Sequence, residues 1–193
     1  MRPHIVESVT ALWAQMLLMR TKFAMLVAFD GIFLADEAQQ AFSGQGLPNL
    51  LEYVRPFAGE LHTNPLMREF NEASLDQHRL FIGDRLWLLF YIYRAFLMRN
   101  GLLISQSWER RTFVDWRKDS GVSQLLGALL TSDEVAQLKA KNAGGLAAAL
   151  ARIEAAFLHE ATRVMSGSKA MADSLSDMQA ILLLQNATIG KRS

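Results

Sequence analysis

The chain has 193 residues, 51% of them hydrophobic and 20% charged, with 20 Lys/Arg, 19 Asp/Glu and no cysteine. That balance excludes a mainly disordered chain, and the length suffices to bury a core without cross-links. The missing cysteines exclude a disulfide framework, a zinc–thiolate site and a thiol nucleophile. The net charge of +1 is unevenly spread: residues 1–78 carry five basic and nine acidic side chains, residues 79–118 eight basic and three acidic, and residues 119–193 seven of each. The basic middle is expected to pair with the acidic N-terminal third of this chain or of a second copy. No uninterrupted apolar stretch with a cleavage site marks a signal peptide, so a cytoplasmic location is expected.

In chain order nearly everything reads as helix, because proline occurs four times and β-type alternation is rare. The stripe Ile5, Val9, Leu12, Met16, Phe23 and Val27 predicts a first helix from Ile5 to Phe29, with a kink at Gly31 before Phe33 to Phe42. Gly44, Gly46 and Pro48 mark a loop, and short helices are expected over 49–53 and 66–70. Ser74 and Gln77 resemble a capping box opening a long helix that Gly101 would terminate.

Ser105 or Ser107 would cap the next helix, to Lys118, and a turn at Ser120-Gly121 would precede a helix over Val122 to Leu130. Thr131 with Glu134 is a second capping box, opening a helix to Lys141. Asn142-Ala143-Gly144-Gly145 reads as a linker. Leu146, Leu150, Ile153, Phe157 and Val164 then trace one apolar stripe, and a last helix is expected over 170–185.

The stretch from Phe81 to Ile104 is apolar nearly all round, yet contains Asp84, Arg85, Arg94 and Arg99. A membrane span needs about twenty mostly apolar residues. Its longest charge-free run, Leu86 to Tyr93, is eight residues, and Arg94 at a bilayer centre would cost about 2.5–3.5 kcal/mol. On a helical projection Ile82, Leu86, Leu89, Phe90, Phe96 and Leu97 form one wholly apolar side. The charges interleave with Trp87, Leu88 and Met98 on the other. This predicts a core helix whose charged edge, Asp84, Arg85, Arg94 and Arg99, needs partners, and no transmembrane span.

Few residues carry chemistry. Arg152 and His159 lie seven apart, on one helical face and about 10.5 Å apart along the axis. This spacing resembles the R-x4-6-H signature of the HEPN ribonuclease superfamily. There a His and an Arg from paired helices of a dimer act on the ribose 2′-hydroxyl and the scissile phosphate; here the residue after the Arg is Ile153. Trp108, Thr112 and Trp116 form a stripe opposite Arg110, Arg111, Arg117 and Lys118, which reads as an amphipathic helix with its tryptophans in the core. His4, His62, His78 and His159 are too far apart to form a helical ligand pair, and no phosphate-cradling loop occurs, so neither a metal nor a cofactor is expected.

The fold class expected is all-α: a multi-helix bundle of seven to nine helices around a central apolar helix, about 75–100. Residues 1–142 would form the body and 146–186 a C-terminal helical hairpin packed on it or on a partner. The function expected is that of a non-enzymatic, self-associating protein–protein interaction module, with Leu146, Leu150, Ile153, Phe157 and Val164 as the contact stripe. The alternatives are a metal-independent ribonuclease using Arg152 and His159, or a binder of an apolar ligand or lipid with a cavity beside Trp87, Phe90 and Phe96. The partner expected is a protein or a second copy, with nucleic acid and a peripheral membrane surface as secondary readings.

Overall fold

The computed structural model describes residues 2–45, 52 and 75–167. Among the described residues the fold is all-α, with seven α-helices, two short 3-10 turns and no strand. The helices are α1 (Arg2–Lys22), α2 (Ala24–Ile32), α3 (Ala35–Ser43), α4 (Arg79–Arg110), α5 (Ser120–Gly127), α6 (Ser132–Lys139) and α7 (Gly145–Ser166). The helices expected over 49–53, 66–70 and 170–185, and the Ser74 cap, lie outside the described residues.

The first predicted helix is two. Phe23 leaves helical geometry at φ −98° and ψ 13°, and the two segments meet at 53°. The bend keeps one apolar face continuous around a corner: Val9, Leu12, Met16 and Met19 before it and Leu26 and Phe29 after it are all buried, with Phe23 at the corner. Gly31 is not the hinge; α2 runs past it to Ile32. Among the described residues no single helix is long and apolar enough to cross a membrane, although α1 and α2 pass together as a bent pair.

The longest element, α4, differs from expectation at both ends. Gly83 interrupts its helical path at φ +76°, a left-handed conformation that a Cβ would strain. Gly101 does not end the helix, which continues to Arg110 and stops at Arg111 (φ +54°). Leu103, Ile104 and Ser107 carry the buried face onward, and their packing outweighs the ~1 kcal/mol that glycine costs inside a helix. Ser107 is therefore no cap. Its hydroxyl donates to the Leu103 carbonyl at 2.7 Å and accepts from the Val114 N–H at 2.8 Å, tying down the returning chain. Because the helix ends at Arg110, Trp116 falls in a 3-10 turn (Trp116–Lys118) and shares no helical stripe with Trp108.

The Thr131–Glu134 capping box is present, with the Thr131 N–H donating to Glu134 at 3.0 Å and the Glu134 N–H to the Thr131 hydroxyl at 3.3 Å. Ser120-Gly121 is the first turn of α5, capped by the Asp119 carboxylate, which accepts from the Val122 N–H at 2.8 Å. Helix α4 packs along α1 and α7 and against α5, while α7 also packs on α1 and α2. One apolar core runs through all of these and includes Leu146, Ala149, Leu150, Ile153 and Phe157.

Candidate functional site

Three polar residues meet where α2, the 3-10 turn and the start of α7 converge. Asp30, buried in the apolar end of α2, accepts from the Trp116 indole N–H at 2.8 Å, from Arg117 Nη2 at 2.9 Å and from the Leu146 N–H at 2.8 Å. Its backbone carbonyl accepts from the Gly144 N–H at 2.9 Å. Asp30 thus satisfies two amides at the start of α7, Leu146 through its carboxylate and Gly144 through its carbonyl, where the helix dipole also favours negative charge. Arg117 stacks over the Trp116 ring at 4.8 Å and donates also to Asp115 and to the carbonyls of Lys141 and Asn142. Gly144-Gly145 is therefore a packed junction and not a free linker. A Cβ on Gly145 would lie 2.6 Å from Trp116 Cζ2, so the absence of a side chain is what lets α7 start against the indole.

Beside this junction is a pocket of about 360 Å³, mouth included, walled chiefly by Leu26, Phe29, Phe33, Leu103, Ile104 and Phe113. Asn100, only 2% exposed, also lines it. Its Nδ2 donates to the Phe96 carbonyl at 2.8 Å, while its Oδ1 is buried without a hydrogen-bond partner among the described residues. The cavity expected beside Trp87, Phe90 and Phe96 is thus displaced toward the later half of α4: Phe90 and Phe96 are fully packed, and open space exists next to Asn100.

The other face of α4 is built differently. Leu88, Tyr91, Ala95, Met98 and Leu102 recur at alternating spacings of three and four, which places them on one side. Leu88 is 45% exposed, Tyr91 53% and Leu102 39%, with Ala95 and Met98 half-buried. Alongside Leu88 and Tyr91 runs an open groove of about 850 Å³ whose far wall is α5 and the residue that ends it, through Gln124, Leu125 and Ala128. At its end Arg99 grips Asp119 through two hydrogen bonds of 3.0 and 2.8 Å. This guanidinium, together with the amide of Val122, holds the Asp119 carboxyl below the usual carboxylate range, and Asp119 in turn raises Arg99.

The charges predicted at the edge of the core find partners within the chain. Asp84 meets Arg79 at 3.0 Å and Arg85 lies 3.6 Å from the buried Glu160; Arg94 is half-buried. Of the basic middle, Arg117 reaches the acidic N-terminal third at Asp30, while Arg79, Arg85 and Arg99 use Asp84, Glu160 and Asp119. The contact stripe Leu146, Leu150, Ile153, Phe157 and Val164 is at most 8% exposed, because α7 buries that face on its own body against α1, α2 and α4. It is therefore not a surface open to a partner.

Arg152 and His159 stand exposed on the opposite side of α7, with Arg152 Nη1 3.3 Å from Glu134. Trp108 is half-buried beneath Arg111 at 4.8 Å, and Trp116 is in the core. Two other contacts join distant residues. His78 Nδ1 lies 3.0 Å from the Ser8 hydroxyl, but Ser8 is 1% exposed, so the pair fastens the turn before α4 to α1 and presents no nucleophile. The Tyr93 hydroxyl donates to Glu154 at 3.0 Å, and Arg20 donates to the same carboxylate. Burial, reinforced by the Glu154 charge, pushes the Tyr93 phenol well above its ordinary value. Among the described residues no cluster of His, Asp and Glu could hold a metal ion.

Sequence reasoning missed Asp30, Asn100 and Arg117. The signal available was the isolation of Asp30 in VAFDGIF and of Asn100 in LMRNGLLI, since a lone polar group in an apolar helix needs a partner. Comparison with protein families, curated proteins and solved structures returns no match for this chain.

Proposed function

We propose that the protein is a non-enzymatic helical assembly module that pairs with a second copy of itself through the outward face of α4. In this reading the helices form a bundle around α4, and that helix serves both the bundle and the dimer. The carrying observation is the stripe Leu88, Tyr91, Ala95, Met98 and Leu102, exposed at Leu88, Tyr91 and Leu102, whose three-and-four spacing is that of a helix–helix seam. The apolar residues on the outward side of α4 call for cover that the core does not give and α5 gives only in part.

Charge placement supports a second copy as the occupant. Asp84 lies at one end of the stripe and Arg99 at the other. A two-fold, antiparallel pairing of α4 with its symmetry mate centred between Tyr91 and Ile92 sets each Asp84, already paired with Arg79, opposite the partner's Arg99, already paired with Asp119, so that ion pairs meet at both ends without like charges opposed.

Light scattering on the intact chain tests this. The expected mass is about twice 21.6 kDa. Leu88→Glu combined with Tyr91→Glu should return the monomer mass with helical content and melting cooperativity retained, because both side chains already face solvent. A wild-type monomer across the concentration range, or a dimer indifferent to the double substitution, overturns the proposal.

A further inference from the structure

The groove between α4 and α5 stands open in a single chain, and the pairing proposed through α4 determines what closes it. Its floor is Ile92, 2% exposed, and its walls are Leu88 and Tyr91 of α4 with Gln124 and Leu125 of α5 and Ala128 at the end of α5. At the other end Arg99 grips Asp119, the cap of α5, and a Cβ on Gly121 would lie 3.2 Å from Arg99 Nε. From that anchor α5 runs back along α4. Ala128 comes nine residues after Asp119, about 13.5 Å at 1.5 Å per residue, which brings it level with Phe90 and beside Tyr91.

Symmetry then fixes where a second copy puts its own α5. A two-fold axis relating two antiparallel helices lies between them and perpendicular to both, so whatever flanks α4 on one side flanks the partner's α4 on the same side. Both α5 helices therefore fall on one side of the dimer, and each groove faces the other. With the axis passing between Tyr91 and Ile92, Ala128 is the part of this wall nearest to it. The same axis sets Leu88 opposite the partner's Ala95. Ile92, Ala95 and Arg99 outline one hole on the surface of α4, and the small Ala95 leaves it room for a leucine knob.

We infer that α5 is the second helix of the pairing surface, and that Leu88 of each copy enters the α4–α5 groove of the other. This rests on the α4 pairing and adds an element to it. Two copies then meet as four helices, α4 and α5 from each, and the exposed Leu88 and half-buried Leu125 gain the cover that one chain does not give them. A second copy suits the groove because knob and hole stand on the same chain at positions that the two-fold exchanges.

The chain has no cysteine, so a single introduced thiol is unique. In the intact protein Ala128→Cys should be cross-linked to its own counterpart by a short bismaleimide, while Ala155→Cys, exposed on the outer side of α7, should not. Adding Leu88→Glu and Tyr91→Glu should abolish the cross-link. Gln124→Trp or Ala128→Trp, both at exposed positions off α4, should fill the groove and weaken self-association about tenfold or more, with helical content by circular dichroism unchanged. In a wild-type dimer, an Ala128→Cys chain that stays uncross-linked, or tryptophans that leave the dissociation constant unchanged, overturns this inference and leaves the α4 pairing standing. A monomeric wild type overturns both.

Discussion

The two sides of α4 are made from the same residue types and do opposite things. Inward, Leu86, Leu89, Phe90, Phe96 and Leu97 are at most 3% exposed and lock against α1 and α7. Outward, Leu88, Tyr91 and Leu102 keep 39% or more of their surface. Composition does not separate the faces; position on the helix does, together with what the rest of the chain can reach. With α1 and α7 already packed along α4, cover on the outer side comes from the two-turn α5, which leaves a groove. The comparison teaches that an all-round apolar helix is evidence for burial as a demand, and that the fold shows how much of the demand one chain meets.

Truncations on the two faces give the largest contrast. Phe96→Ala should cost about 3–5 kcal/mol of unfolding free energy, as cavities left by buried aromatics do. Tyr91→Ala should change the stability of a single chain by about 0.5 kcal/mol or less. Chemical denaturation in a dilute monomeric background measures both, and comparable losses would erase the distinction between the faces.

A smaller effect sharpens the inward side. Gly145→Ala drives a methyl into Trp116, which meets Phe96 edge-on with ring centres 6.5 Å apart. The expected cost is about 1–3 kcal/mol, visible as a lower melting temperature. A neutral result would mean that the junction of α7 with α4 has slack.

The smallest effect belongs to the outer edge, where Asp119 both caps α5 and holds Arg99. Asp119→Ala should cost about 0.5–2 kcal/mol at neutral pH. The sign with pH follows from its lowered folded value: the unfolded chain binds the proton more readily, so the contribution is complete above the ordinary carboxylate range. It is lost as pH falls through the lowered folded value. Wild type and variant should therefore converge in acid, and a difference that persists there would place the effect elsewhere. Tyr93 acts in the opposite direction at the alkaline end. Its raised value means that stability falls as pH climbs past the ordinary tyrosine range, where the unfolded phenol gives up its proton first.

What could be read from the residues and what could not divide along physical lines. Periodicity marked Ile82, Leu86, Leu89, Phe90, Phe96 and Leu97 as one buried side and Leu146 to Val164 as one stripe, because a helix imposes its repeat on any sequence that must bury a face. Capping chemistry located Thr131–Glu134, since that contact spans three residues and needs no partner element. The candidate site was scarcely legible. Asp30 meets Trp116, Arg117 and Leu146 across 86 to 116 positions of sequence, and no local rule couples residues so far apart.

The sequence by itself determined that this chain is helical, that α4 has one wholly apolar side and one mixed side, and that its arginines would need acids. These are matters of residue type and of a 3.6-residue repeat. Tertiary structure alone decided that Gly101 is helix and Gly145 a contact, and that the α7 stripe turns inward. It also left Asn100 Oδ1 without a partner among the described residues and Leu88, Tyr91 and Leu102 of α4 exposed. In each case the free energy lies in packing between elements, and a local preference of about 1 kcal/mol yields to it.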